Sequence, residues 1–319
     1  MKCSKILATI AIASFFAANS FAAEEQIIGE YGAITIKKVT NNAGVERTVA
    51  YIDDESKVTP VISEDIAVDS VFFTRKFKQG TVSTMMLPFG LGDISPDWKL
   101  GLTLYKEFEV RSDCPSCAPA VYYKQDTDGK LEANVPYIVS SPTQDHQITF
   151  NTDYTSVAKI NLNTTTGTKS REEQFGPYVL SFKGTYESIE FKNPAGIYGM
   201  SAMDYVNVKT GKEVKVGDFV HASCSESKCA SVRPFRAYLK VTLASLNKSA
   251  SDEELPQKIA VYLIGADGKE TTYVGQMNTL TGEIVKEDNR WFDMKGRVLD
   301  HKPTTKGTYY NNKKKVTIK

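Results

Sequence analysis

The sequence predicts an all-β protein: a sandwich- or jelly-roll-like body followed by a small C-terminal β module. Three observations carry this. Short runs rich in β-branched and aromatic residues recur along the chain after residue 22. Turn dipeptides fall between them, at Asp128-Gly129, Thr210-Gly211, Asp267-Gly268 and Thr281-Gly282, each able to supply the φ > 0 position of a tight turn. Beyond residue 22 no amphipathic pattern of about 12 residues or more marks a helix, and Asp252–Pro256 meets a proline at once.

Residues 1–22, MKCSKILATIAIASFFAANSFA, read as a leader. Lys2 and Lys5 form a basic start, Ile6–Ala18 a short apolar run, and Ser20-Phe21-Ala22 a small-x-small site, which places cleavage after Ala22. The run is too short to span a bilayer, and no later run is long enough, so the mature chain has no transmembrane segment. The predicted strands follow in order: Ala33–Val39, Thr48–Ile52, Val68–Phe73, Leu102–Val110, Ala120–Tyr123, Val135–Val139, Gln147–Phe150, Tyr178–Phe182, Val216–His221, Phe235–Leu243, Ile259–Ile264 and Thr271–Gln276. The polar stretch 247–256 reads as a linker between a body, 23–246, and a C-terminal module, 257–319. A weaker boundary falls near Gln144.

With 319 residues, 39 Lys+Arg against 38 Asp+Glu and 41% hydrophobic residues, the chain is neither disordered nor a polytopic membrane protein. Its balanced charge lacks the basic footprint of a nucleic-acid binder. After the leader, four cysteines remain as two close pairs, Cys114/Cys117 and Cys224/Cys229. Export makes disulfides the first reading, local or between the pairs. A zinc site and a redox-active C-P-S-C are the other two, although Ala118–Tyr123 reads as an incoming strand and not as the helix a redox pair needs.

Several stretches resemble a family of secreted surface proteins from fibre-degrading and gut bacteria of the Fibrobacterota and Bacteroidota. They are VFFTRKFKQGTVSTMMLPFGL (Val71–Leu91), LEANVPYIV (Leu131–Val139), the pieces at Lys183–Tyr186 and Ala195–Tyr198, SVRPFRAYL (Ser231–Leu239) and the tail Trp291–Lys319. Two departures stand out: Asn312-Lys313 replaces the usual Asn-Gly, and both cysteine pairs are additions. The resemblance implies an exported, cell-surface or extracellular β-protein, with the periplasm as alternative. It also implies a tail, 291–319, similar to type IX secretion sorting domains, which would engage the secretion machinery. The family's molecular activity is undefined.

No catalytic motif is present. Gly199–Met203 lacks the second glycine of a nucleophile elbow. His146, His221 and His301 show no ligand spacing. Asp53-Asp54-Glu55 and Glu64-Asp65 read as solvated loops, and Gln125–Leu131 as a hairpin turn, although Asp126-Thr127-Asp128-Gly129 resembles the start of a calcium loop. In Phe235–Lys240 the alternation puts Phe235, Ala237 and Leu239 inside and Arg236, Tyr238 and Lys240 outside. Lys313–Lys315 reads as an edge guard.

These features predict a non-enzymatic, cofactor-free and metal-free surface protein with a structural or adhesive role. Its partners are cell-surface proteins or polysaccharide. The alternative is a carbohydrate-binding module for plant polysaccharide. Trp98, Tyr122, Tyr123, Tyr309 and Tyr310 are its candidate sugar-stacking rings.

Overall fold

The computed structural model describes residues 24–41, 43–91, 102–112, 119–128, 130–141, 145–151, 159–165, 170–207, 210–226, 228–245, 251, 254–268, 271–286, 290–299, 301–311 and 314–318. Among them there are strands and turns but no helix, so the fold is all-β. The leader, Trp98, Cys114 and Cys117 lie outside the described residues. Each of the twelve predicted runs overlaps a strand, although Val216–His221 is a strand only over Phe219–His221 and Val68–Phe73 spans the end of one strand and the start of the next. At Gly211, Gly268 and Gly282 the backbone is left-handed, as their turn dipeptides require.

Four larger sheets organise the chain. The N-terminal sheet runs Glu24–Tyr31, Ile34–Thr40, Glu46–Ile52, Ser70–Phe77, His146–Asn151, with the third and fourth strands parallel. A seven-stranded sheet runs Ile284–Val285, Thr271–Asn278, Lys258–Ile264, Ala120–Gln125, Thr103–Arg111, Tyr137–Ser140, Val82–Met85. A five-stranded sheet runs Ser170–Phe175, Tyr178–Thr185, Arg236–Leu243, Ile197–Met200, Phe219–His221. The C-terminal sheet runs Val298–Leu299, Trp291–Phe292, Gly307–Asn311, Lys314–Ile318.

Two of the sheets form a sandwich. Inward residues of the seven-stranded sheet (Val121, Tyr123, Val261, Leu263) meet those of the five-stranded sheet (Leu180, Phe182, Leu239, Val241) in one buried cluster. A second core lies under the N-terminal sheet. There Ile34, Ile36, Ile52 and Phe73 pack against Met86, Leu87, Phe89, Tyr137, Tyr186 and Phe235.

Sheet membership corrects two expectations. Strand Lys258–Ile264 pairs in parallel with Ala120–Gln125 inside the seven-stranded sheet, so residues after 256 belong to the body. The separate sheet begins at Trp291, because the apolar strands before it are needed to complete the sandwich. Likewise, the strands on either side of the expected hairpin turn are not paired with each other. Strand Tyr137–Ser140 pairs with Thr103–Arg111 and Val82–Met85, and not with Ala120–Gln125.

Candidate functional site

Four of the stretches singled out in the sequence, Val71–Leu91, Leu131–Val139, Lys183–Tyr186 and Ser231–Leu239, converge at one buried clasp around Asp54. Asp54, expected in a solvated loop, is 3% exposed. Its carboxylate accepts from Arg75 Nε at 2.8 Å and from both Arg236 Nη atoms, at 3.0 and 2.7 Å. Arg75 also donates to the carbonyls of Thr84 and Phe235, at 2.5 and 3.1 Å. Burial pushes the Asp54 carboxyl up, but the two guanidinium charges and their hydrogen bonds outweigh it and hold the group below its usual range. Burial and the neighbouring Arg236 charge pull Arg75 down to about 10, so it stays charged at neutral pH.

Around the clasp the backbone is strained on purpose. Phe235 has φ 62°, a left-handed conformation that costs a bulky residue about 1–3 kcal/mol. Its carbonyl accepts from Arg75 and from the Met86 amide, and its ring packs edge-on against Phe73 and Tyr186. Asn134, also left-handed, accepts from the Tyr186 hydroxyl at 2.5 Å. Gly184 leaves room for Met86, whose sulfur would stand 2.2 Å from an added Cβ. These bonds tie the loops at Asp54, Met86, Asn134, Tyr186 and Phe235 to one another and to the strands Ser70–Phe77, Val82–Met85 and Arg236–Leu243, so the clasp is a joint between sheets.

A second charged cluster sits in the loop after Ala120–Gln125. The Lys106 ammonium reaches Asp128 at 2.8 Å, Glu132 at 2.7 Å and Asp126 at 3.7 Å. Burial, and then a hydrogen bond shared with Asp128, raise Asp126 to about 6, while the Lys106 hydrogen bond lowers Asp128 to about 2. Two carboxyls in mutual hydrogen-bond contact are too close to flank a glycosidic bond. The lysine supplies the charge that a cation would bring to the calcium-loop-like Asp126–Asp128.

The aromatics separate into two groups. Tyr122 and Tyr123 are 1% and 2% exposed, contrary to the expectation that they stack sugars. Their strand is internal to the seven-stranded sheet and is covered on both faces. Tyr123 packs with Phe108 and Phe182. Tyr122 stacks on Tyr262 at 4.9 Å, with Arg111 over its ring at 4.0 Å. Arg290 lies over Tyr262 at 4.1 Å and over Phe292 at 5.2 Å, and donates to the Tyr122 hydroxyl at 3.3 Å. This cation–ring ladder joins the body to the C-terminal sheet.

Of the described candidate rings, the two that keep solvent access are in that last sheet, and Tyr205 of the body is 41% exposed as well. Tyr309 is half-buried and Tyr310 is 37% exposed. No described residue from 284 to 318 is fully buried. Residues 290–319 hold nine Lys or Arg and two Asp, whereas residues 1–289 hold 30 basic and 36 acidic residues. The chain is neutral only as a sum, and this segregation is the signal that composition hid. Cross-strand pairing sorts the sheet into one face with Trp291, Leu299, Tyr309, Asn311, Lys314, Val316 and Ile318, and a second face with Phe292, Val298, Thr308, Tyr310, Lys315 and Thr317. Lys302 lies over Trp291 at 5.9 Å.

Of the cysteines, Cys224 and Cys229 are disulfide-bonded to each other. The bond is local, closing a short loop, so the bridge between the two pairs does not form. Comparison with protein-family models, curated proteins and solved structures finds no match to this chain.

Proposed function

We propose that this chain is an exported cell-surface or extracellular β-protein with a structural or adhesive role and no catalytic activity. The observation that carries the reading is the division of labour between its charges. Asp54 and Arg75 are buried and, with the half-buried Arg236, mutually saturated, while Lys295, Arg297, Lys302, Lys306, Lys314 and Lys315 are exposed in a C-terminal segment with no fully buried residue among those described. Saturated buried charges suit a scaffold, and exposed like charges suit contact with a partner. The Cys224–Cys229 bond fits an oxidising compartment. No helix among the described residues is long and apolar enough to cross a membrane. The sheet from Trp291 onward doubles, in this reading, as the sorting tail.

Fractionation of the producing cells and protease treatment of intact cells test this. The chain should appear in the surface or medium fraction, shortened at its N-terminus by the leader. Recovery of the unshortened chain in the cytosol would overturn the reading.

A second reading, a carbohydrate-binding module, is favoured by the open Tyr310 ring. Pull-down on insoluble cellulose, xylan and starch tests it. Retention released by soluble oligosaccharide supports it, and passage of the folded protein through all three removes it for neutral plant glycans.

A further inference from the structure

One face of the C-terminal sheet combines three groups in a single row. Phe292 lies opposite Tyr310, and Tyr310 opposite Lys315. Along the same face Thr308 lies opposite Thr317. Tyr310 and Lys315 are exposed, and so is Thr317. An open ring takes the flat face of a sugar, hydroxyls bond its hydroxyls, and an ammonium meets a negative substituent. We propose that this face binds an acidic polysaccharide, with a pyranose stacked on Tyr310 and a carboxylate of the chain on Lys315.

Charge selects this occupant over the others. A second copy docking with the same face would bring the same basic excess against itself. A neutral glycan would leave the lysine without a partner. An anionic membrane calls for large exposed apolar anchors, whereas on this face Phe292 and Val298 are half-buried and the exposed positions are Tyr310, Lys315 and Thr317. The inference deepens the surface-protein reading and rests on it, since the face must meet polymer outside the cell.

The test is affinity electrophoresis of the exported full chain in gels holding polygalacturonate or neutral xylan, with co-flotation on phosphatidylglycerol vesicles as a third arm. Polygalacturonate should retard the protein. Tyr310→Ala and Lys315→Glu should each weaken binding roughly three- to tenfold. About 0.5 M salt should abolish most of it. Lys57→Glu, the same charge change at an exposed site of the body, should leave it unaltered. Matching thermal midpoints would show that all variants fold. The proposal is overturned by polygalacturonate binding that neither face variant alters, by equal weakening from Lys57→Glu, by no retardation, or by binding to xylan or vesicles alone. A surface-localised protein that fails in this way leaves the structural or adhesive reading standing.

Discussion

The body and the C-terminal sheet are built from the same kind of strand and held together by opposite means. In the body, inward residues such as Ile34, Phe73, Phe182 and Val261 are at most 1% exposed, and each sheet finds a second apolar layer. In the C-terminal sheet the same alternation of apolar and polar side chains is present, but Trp291, Tyr309, Val316 and Ile318 remain half-exposed. A sheet gains most of its stability from burying one face against another layer. The comparison teaches that strand pattern and turn chemistry suffice to form a sheet, whereas rigidity requires a partner layer. Among the described residues, the Arg290 ladder ties the C-terminal sheet to the body.

The sharpest way to break the comparison is at the clasp. Asp54→Ala leaves two guanidinium groups buried without their anion and should destabilise the body by about 3–5 kcal/mol in chemical denaturation. A loss below about 1 kcal/mol would mean that the clasp is solvated. A matched pair sharpens it further. Ile52→Ala, at a fully buried position, should cost about 2–5 kcal/mol, and Ile318→Ala, half-exposed, less than about 1 kcal/mol. Equal losses would mean that the C-terminal sheet has a hidden second layer.

Smaller effects follow at the junction and the loop. Arg290→Ala removes two ring contacts and a hydrogen bond and should cost about 1 kcal/mol. Amide exchange in Gly307–Asn311 should accelerate while Lys258–Ile264 keeps its protection. No change there would show that another contact tethers the sheet.

The effect of Asp126→Asn is also small, and it depends on pH. Burial and the hydrogen bond shared with Asp128 raise Asp126 to about 6 in the folded state, above about 3.9 when unfolded. Its contribution is therefore fully present below pH ~4 and lost as pH rises through about 6. The variant should match the parent at pH 4 and exceed it at pH 7 by about 1 kcal/mol, a figure reduced for solvent on the loop's outer side. A constant difference across that range would refute the shared proton.

Much of the fold was legible because it depends on local signals. Alternation marked the twelve runs, and glycine after a polar residue marked the left-handed turns at Gly211, Gly268 and Gly282. The inward assignment of Phe235, Ala237 and Leu239 needed only period two. Pairing was harder. Asp128-Gly129 reads as a hairpin turn, yet Thr103–Arg111 lies between the strands it was expected to join. A polar stretch at 247–256 reads as a domain linker, yet Lys258–Ile264 returns to the centre of the body. Neither outcome has a local signature, since non-neighbouring strands choose each other by the layer they jointly cover.

The site followed the same division. That Tyr310 is open and Tyr122 closed could not be read from their surroundings in the chain, because both stand in Tyr-Tyr pairs on strands. Sequence by itself determined the all-β class, the leader signature, the cysteine pairing options and the basic character of the last thirty residues, because each is written in composition or in spacings of a few residues. Tertiary structure alone decided that Asp54 is a buried anion between two arginines, that Tyr122 and Tyr123 are closed to solvent, and that Phe292, Tyr310 and Lys315 share one face. Those facts depend on residues up to 182 positions apart, whose contact is fixed only when the sheets stack.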